Sequence, residues 1–289
     1  MATRSEIVVT LDGEVIEPGR PIVYADDPMF ARGDGVFETL LVRGARACLL
    51  DAHLARLARS AAITGLPAPD LARWRSAVTV ALAERSDDGE GVLRLSYGRG
   101  RGAGPTAFVT VSALPARVLA TRRDGVSAMT LDRGVAVGGG VAAPWSIAGA
   151  KSLSYAVNAA ALRHAERLGF GEVVLVSSDG YVLEGPRSSV VIADGAGELV
   201  TPPPTMPILP GTTVEAVFDV VRRRGGACET RALRVADLLA AQGVWLLSSV
   251  TLAARVHTLD GVALPAAPTT AEMAALVDEA VAETRRPGA

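Results

Sequence analysis

Residues 149–186 read GAKSLSYAVNAAALRHAERLGFGEVVLVSSDGYVLEGP. From Ser154 to Leu168 the apolar residues recur with a helical period, and Gly169 is placed to end the helix. EVVLVSSDGYVLEGP then reads as a hairpin turning at Asp179-Gly180. Just ahead of the helix stands Lys151. Of the 29 basic side chains it is the one lysine, and every other is arginine. A guanidinium stays charged at any working pH and cannot serve as an amine nucleophile. A desolvated lysine can lose its proton and attack a carbonyl to form a Schiff base. One lysine could also survive by chance in an arginine-rich chain. Its surroundings weigh against chance, because it follows a loop rich in glycine and broken by proline (Gly138-Gly139-Gly140, Pro144). Such a loop lets backbone approach a ligand closely.

Upstream, IVVTLDGEVIE alternates around Asp12-Gly13 as a hairpin would. Pro28 to Gly35 reads as a loop, and FETLLVRGARACLL as a second hairpin turning at Arg43-Gly44. Asp51 is the expected N-cap of a helix that Gly65 stops, and a second helix runs from about Leu71 to Arg85. GVLRLSYG and TAFVTVSAL pair across the loop GRGRGAGP. Strands, two helices, then strands make residues 1–117 an α+β domain. The pattern loosens into a charged linker at 118–125. Residues 126–289 form a second domain carrying Lys151. It opens with a strand near Ser127 to Leu131. After the hairpin at Asp179-Gly180, SSVVIADGAGELVTPP reads as another. Then come the helix TTVEAVFDVVRRRG after Pro210-Gly211, strand ACETRAL, helix VADLLAAQ, strand GVWLLSSV and a last helix near Thr270 to Thr284.

The composition bounds the function. With 289 residues, 49% hydrophobic, 21% charged and a net charge of −2, the chain is expected to be globular and without the basic field that nucleic acid requires. The opening MATRSEIVVTLDGEV lacks a signal-peptide core, and no apolar run is long enough to span a bilayer, so a cytoplasmic protein without membrane contact is expected. Cys48 and Cys228 read as reduced core residues. His53, His164 and His257 show no metal-ligand spacing, so no metal is expected.

Taken singly, the other candidate residues are ambiguous. Arg56, in His53-Leu54-Ala55-Arg56-Leu57, reads as a solvated helix face. Thr212 and Thr213 open a helix after a glycine, where amides and helix dipole favour an anion, yet a threonine cap would look the same. Ser248-Ser249 offer hydroxyls to a phosphate or simply finish a strand. Glu184 reads as a carboxylate at a strand end. GRGRGAG is no dinucleotide fingerprint, because its glycines are misplaced and no helix follows. Arg94, Arg99 and Arg101 make it either a basic turn or a loop that meets a substrate carboxylate.

In order along the chain stand GDGVFETL (33–40), HLARL (53–57), AKSLSY (150–155), SSDGYVLEGPRSSVVI (177–192), LVTPP (199–203), ILPGTTVEAV (208–217) and LLSSV (246–250). This series resembles the fold-type-IV pyridoxal-phosphate enzymes: branched-chain and D-amino-acid aminotransferases and 4-amino-4-deoxychorismate lyases. The resemblance implies a two-domain D-amino-acid aminotransferase-like fold of class α+β / α/β, with a small N-terminal α/β sandwich and a larger C-terminal pseudo-barrel domain. It implies pyridoxal 5'-phosphate as cofactor, small-molecule substrates and a homodimer. Lys151 would hold the cofactor as a Schiff base and shuttle protons. Glu184 would pair with the pyridine nitrogen. Arg56, the Thr212 and Thr213 amides and the Ser249 hydroxyl would hold the phosphate, and Tyr155 would contact the ring hydroxyl. The chain departs from the family in having Ser189 where Asn is usual, and Gly211-Thr212-Thr213-Val214 where GITR is usual.

Within the family, the residue after Phe37-Glu38 is Thr39, as in the lyases, where its hydroxyl is thought to assist proton transfer near the lysine. The residue also suits a strand simply as a β-branched filler. The Arg/Gly loop resembles the lyase type more than the aminotransferases, though without the Gly-Tyr end of some lyase loops, and Arg94 takes a position used near the substrate carboxylate in branched-chain enzymes. The expectation is an aminodeoxychorismate lyase of folate biosynthesis, giving 4-aminobenzoate and pyruvate, with an aminotransferase for branched-chain or D-amino acids as the alternative.

Overall fold

The computed structural model describes residues 6–102, 104–138, 145–265 and 270–282. Gly139, Gly140 and Pro144 of the glycine-rich loop, Ala103 of the Arg/Gly loop, and the expected helix end at Thr284 lie outside the described residues. Two units are present. One runs to Pro115 and adds Ala150–Tyr155, and the other comprises Ala116–Gly149 and Ala156–Ala282.

The first unit is built on an antiparallel sheet. Its elements are β1 (Glu6–Thr10), β2 (Val15–Ile16), helix α1 (Pro28–Ala31), β3 (Gly35–Arg43), β4 (Arg46–Ala47), helices α2 (Leu50–Ile63) and α3 (Leu71–Ala83), β5 (Gly91–Gly98) and β6 (Thr106–Ala113). The strand order is β2-β1-β6-β5-β3-β4. Successive strand residues point to opposite faces. Val36, Leu40 and Val42 join Leu54, Leu57, Ala61, Trp74 and Val78 in one core beneath α2 and α3. Phe37, Thr39 and Leu41 therefore lie on the opposite face. There Phe37 pairs with Ser96 and Thr39 with Arg94 across β3 and β5.

The stretch expected as a loop from Pro28 contains α1. Asp27 caps it by accepting from Met29 N at 2.8 Å, and Pro28 supplies the preset first φ. Asp51 is not the cap of α2. Cys48 N–H still bonds Leu41 O at 2.8 Å, so the chain turns directly off the strand through Leu49, which is left-handed (φ 54°). Asp51 falls in the first turn instead, where its charge suits the helix dipole and it pairs with Arg75.

The second unit contains α4 (Ala116–Asp124), β7 (Val126–Asp132), α5 (Ala156–Arg167), β8 (Glu172–Val176), β9 (Ser189–Ala193), β10 (Leu199–Thr201), α6 (Thr212–Arg223), β11 (Cys228–Thr230), α7 (Val235–Ala240), β12 (Gly243–Ser248), β13 (Leu252–Leu259), β14 (Val262–Ala263) and α8 (Thr270–Ala282). Its sheet runs β11-β10-β9-β12-β13-β7-β8, with β14 paired to β13. β7 is parallel to both neighbours, whereas β9 and β12 pair antiparallel with theirs.

Three features differ from the sequence expectation. The linker at 118–125 is helix α4 up to Asp124. Only Val118 on it is buried, so it shows no apolar stripe to read, and Gly125 (φ 76°) ends it against Arg255 O. β13, absent from the sequence reading, lies between β12 and β7. Its alternation Leu252, Ala254, Val256 feeds the core, while Arg255 and His257 sit between as half-buried polar residues. Finally, Ala150–Tyr155 groups with the first unit rather than with the C-terminal domain, because its backbone pairs with β3.

Candidate active site

In the first unit the segment around Lys151 is added to the start of β3 as a short extra strand. Phe37 N–H donates to Lys151 O at 2.9 Å, and Leu153 N–H to Gly35 O at 2.8 Å, about an antiparallel bridge between Val36 and Ser152. Lys151 N–H donates to Ser60 Oγ at 3.1 Å, and that serine is buried on α2. The Gly33-Asp34-Gly35 motif makes room for this pairing. A Cβ at Gly35 would come within 2.6 Å of Leu153 Cδ1 and 2.8 Å of Gly98 Cα. One at Gly33 (φ 65°) would lie 2.8 Å from Ser154 Oγ. The lysine backbone is thus fixed from three sides before any ligand is considered.

The Lys151 side chain reaches the face of β3 opposite the core. Its Nζ lies 4.5 Å from the centroid of the Phe37 ring and 5.9 Å from that of Tyr155. Those two rings meet edge to face at 5.5 Å. The Arg94 guanidinium carbon stands 3.9 Å from the same Phe37 centroid. Arg94 is half-buried, its Nε contacts Ser96 Oγ at 3.4 Å, and no carboxylate of the described residues pairs with it. Burial lowers its pKa and Tyr155 opposes that shift; a guanidinium remains charged regardless. Thr39 occupies the same face, opposite Arg94 in register. The other two expected arginines are engaged elsewhere. Arg99 pairs with Asp34 at 2.9 Å and bonds the carbonyls of Thr64 and Gly65, and Arg101 pairs with Asp26 at 3.1 Å above the Tyr24 ring.

Arg56 is not on a solvated helix face. It is 5% exposed on the inner side of α2, and its Nε and Nη2 grip Glu38 Oε1 and Oε2 at 2.7 and 2.8 Å. His53 Nδ1 meets Glu38 Oε2 at 2.7 Å. Burial alone would raise the Glu38 pKa, but the charges and hydrogen bonds of Arg56 and His53 outweigh it and hold the carboxyl well below its usual range. For His53, burial outweighs the carboxylate and lowers the pKa. We therefore describe a neutral His53 donating to an ionised Glu38 that is paired with Arg56. The sequence reading passed over Glu38 and His53. Their signal was one acid on the inward phase of β3 facing two polar residues on the inward face of α2.

In the second unit Glu184 is half-buried rather than solvated. Its Oε1 accepts from Arg133 Nη1 at 3.1 Å and its Oε2 from Leu209 N at 3.0 Å. Thr212 and Thr213 are both buried in the first turn of α6, but the N-cap is Gly211, which has no side chain to satisfy the turn. The Thr213 hydroxyl is buried without a hydrogen-bond partner among the described residues, as is that of Ser188. A Cβ at Gly211 would run into Ser189 Oγ, so a larger residue there would have to displace that side chain. Val214 packs in the core where the family has arginine. Ser249, half-buried, follows β12, and Ser248 Oγ beside it accepts from Thr251 N at 3.2 Å. An uncapped helix start with an orphaned threonine hydroxyl is the donor set a phosphate takes, and an oriented carboxylate is the partner a pyridinium takes. The residues of this unit therefore fit a phosphorylated pyridine. Among the described residues no cluster of acids, histidines and cysteines could hold a metal, and no helix is long and apolar enough to cross a membrane.

Residues 35–259 match the family described as Amino-transferase class IV. The chain is 60% identical, over 96% of its length and 100% of the other, to a bifunctional aminodeoxychorismate lyase / D-amino acid transaminase of Mycobacterium tuberculosis. It is similar in structure to a hypothetical aminotransferase from Mycobacterium tuberculosis in its PLP-bound form, with a TM-score of 0.91. The TM-score to the alpha-ketoglutarate and PMP bound form is 0.93. Each of these is 61% identical, over 95% of this chain and 98% of the other. The two-domain fold expected from the sequence is the fold of these relatives.

Proposed function

The chain belongs to the class IV aminotransferases, which are pyridoxal-phosphate enzymes, and from that premise we propose a 4-amino-4-deoxychorismate lyase that also transaminates D-amino acids. The observation that carries the reading is the group around Phe37: the sole lysine, an arginine without a carboxylate partner, and Thr39 on the same face of the sheet. Bound pyridoxal phosphate supplies an electron sink for the pair released when a C–H bond beside the substrate nitrogen breaks. Lys151 is the covalent attachment point and the base. Its amine takes the ring proton from the carbon bearing the amino group of 4-amino-4-deoxychorismate. The ring C–O bond would then break, the enolpyruvyl group would leave and take up a proton to give pyruvate, and 4-aminobenzoate would gain aromaticity, which supplies much of the driving force. The Thr39 hydroxyl assists the proton transfer, and Arg94 holds a substrate carboxylate. Arg99 and Arg101, already paired with Asp34 and Asp26, are second to Arg94 in this role.

Glu184 is assigned to the ring nitrogen and Tyr155 to the ring hydroxyl. Arg56, the Thr212 and Thr213 amides and Ser249 are assigned to the phosphate. The loss of arginine at position 214 leaves the helix amides as the main donors in α6. In the transaminase reaction the same lysine would hold and return the proton it has removed, rather than assist release of an ether. The 60% identical relative, bifunctional by name, supports both activities, and the alpha-ketoglutarate and PMP bound form supports 2-oxoglutarate as the amino acceptor. A cytoplasmic homodimer completes the proposal on the family resemblance.

The test is a paired assay on the purified holoenzyme. 4-Aminobenzoate and pyruvate are measured from 4-amino-4-deoxychorismate, and D-glutamate from D-alanine with 2-oxoglutarate. Equimolar 4-aminobenzoate and pyruvate support the lyase. D-Glutamate without 4-aminobenzoate would leave a transaminase alone.

A further inference from the structure

Arg133, which the sequence reading did not single out, lies immediately after β7. Its own N–H donates to Val176 O at 2.8 Å at the end of the neighbouring β8, so its backbone is fixed by the sheet. Asp132 Oδ1 accepts from Gly134 N at 2.7 Å and closes the turn behind it. The side chain, 27% exposed, reaches Glu184, which is 13% exposed. Glu184 is equally fixed through its backbone, since its carbonyl accepts from Leu175 N at 2.8 Å. In a glutamate so held the carboxylate plane still turns about a broad torsion with no sharp preference of its own. Arg133 and Leu209 act on different oxygens of Glu184 and come from different segments, one from the end of β7 and one from the turn before α6.

We propose that Arg133 is a positioning residue of the cofactor site: with Leu209 N–H it fixes the plane in which the Glu184 carboxylate meets the pyridine nitrogen. The proposal rests on the assignment of Glu184 to that nitrogen made above. Arginine suits the task better than lysine, because a planar guanidinium constrains direction as well as distance. The pair is partly shielded from water, so its geometry is held more firmly than in an exposed ion pair. A carboxylate that has lost the guanidinium would swing more, and the ring nitrogen would find its partner aligned for less of the time.

Apoenzyme is titrated with pyridoxal phosphate, and affinity and the visible circular dichroism per bound cofactor are read for wild type, R133M, R133K, E184Q and R133M/E184Q. R133M is expected to weaken binding about tenfold, the loss of one hydrogen bond to a charged group, and to reduce the visible dichroism. R133K is expected to recover part of both. In the E184Q background R133M should add less than about a twofold loss. Arg133 does not position Glu184 if R133M binds the cofactor as tightly as wild type with unchanged dichroism while E184Q does not. The same conclusion follows if R133M costs as much in the E184Q background as in the wild-type one, since that marks a general structural defect. Should R133M not fold, R133K against wild type decides the question by the same two readouts. If E184Q itself changes neither readout, the assignment of Glu184 to the ring fails first and the proposal with it.

Discussion

Replacing Glu38 by glutamine should unfold the first unit more readily than any other single polar substitution there, and the amount follows from the geometry. Glu38 is fully buried, with Arg56 nitrogens on both oxygens and His53 on one. The charge centres lie about 4 Å apart, where a pair at an effective dielectric near 20 is worth roughly 4 kcal/mol. The amide keeps the shape but loses the charge and turns one NH2 toward a donor. A guanidinium then stays buried without its counterion, a situation that costs about 3–5 kcal/mol. At about 4 °C per kcal/mol for a unit of this size, the melting temperature of the apoprotein should fall by roughly 12–20 °C.

The companion E38L/R56M removes both charges and should recover more than half of the loss, because no orphaned charge remains. Both are measured by calorimetry on apoprotein at pH 7, so that cofactor binding does not enter. Acid should narrow the gap between wild type and E38Q. The folded pKa of Glu38 lies below its ordinary value of 4.5, so its stabilisation is complete above 4.5 and drains away as pH falls. The rate is about 1.4 kcal/mol per pH unit below that value. His53, lowered from 6.5, takes stability from both proteins as pH drops, since the unfolded chain takes up its proton first. A variant melting within about 2 °C of wild type, or a double variant no better than the single, would refute the picture of a desolvated Arg56–Glu38 pair.

Arg94→Gln should raise KM for a carboxylate substrate about tenfold or more with a smaller change in kcat, because the side chain it removes binds rather than reacts; steady-state kinetics read the split. Thr213→Val should leave the apoprotein as stable as wild type or more stable by about 1 kcal/mol, since it deletes a buried hydroxyl without a partner. The same variant should weaken pyridoxal phosphate binding several-fold, and a thermal melt beside a cofactor titration checks both halves. Gly35→Ala should weaken the pairing of the lysine segment, because its methyl meets Leu153 and Gly98; a large drop in covalent cofactor occupancy at unchanged sheet content, read by absorbance and far-ultraviolet dichroism, is the expected result.

Much of the fold was legible because its signals were local. The turn glycines at 13, 44, 65, 169 and 180 all adopt positive φ, and the strands and helices between them follow from period alone. What escaped detection were elements whose stabilisation is tertiary. α4 has one buried residue and a charged surface, and β13 carries polar residues on its second phase. The placement of Ala150–Tyr155 against β3 depends on Gly33 and Gly35, whose need for close approach cannot be read from a sequence without the partner strand. The same limit applied to the site. Lys151 announced itself by being alone of its kind. Arg56 looked like a surface residue because its partner Glu38 lies 18 positions away on a facing element, and His53 meets the same carboxylate. Arg133 was invisible for a similar reason, since it meets Glu184 across 51 residues of chain.

The central claim is that the single ε-amine at Lys151 is where pyridoxal phosphate becomes attached. Reducing the yellow holoprotein with cyanoborohydride and mapping the peptides by mass spectrometry tests it directly. A phosphopyridoxyl mass increment on the peptide containing Lys151, lost in Lys151→Ala, is the predicted result. Stoichiometric label elsewhere, such as on the N-terminal amine, with Lys151 unmodified would contradict the account.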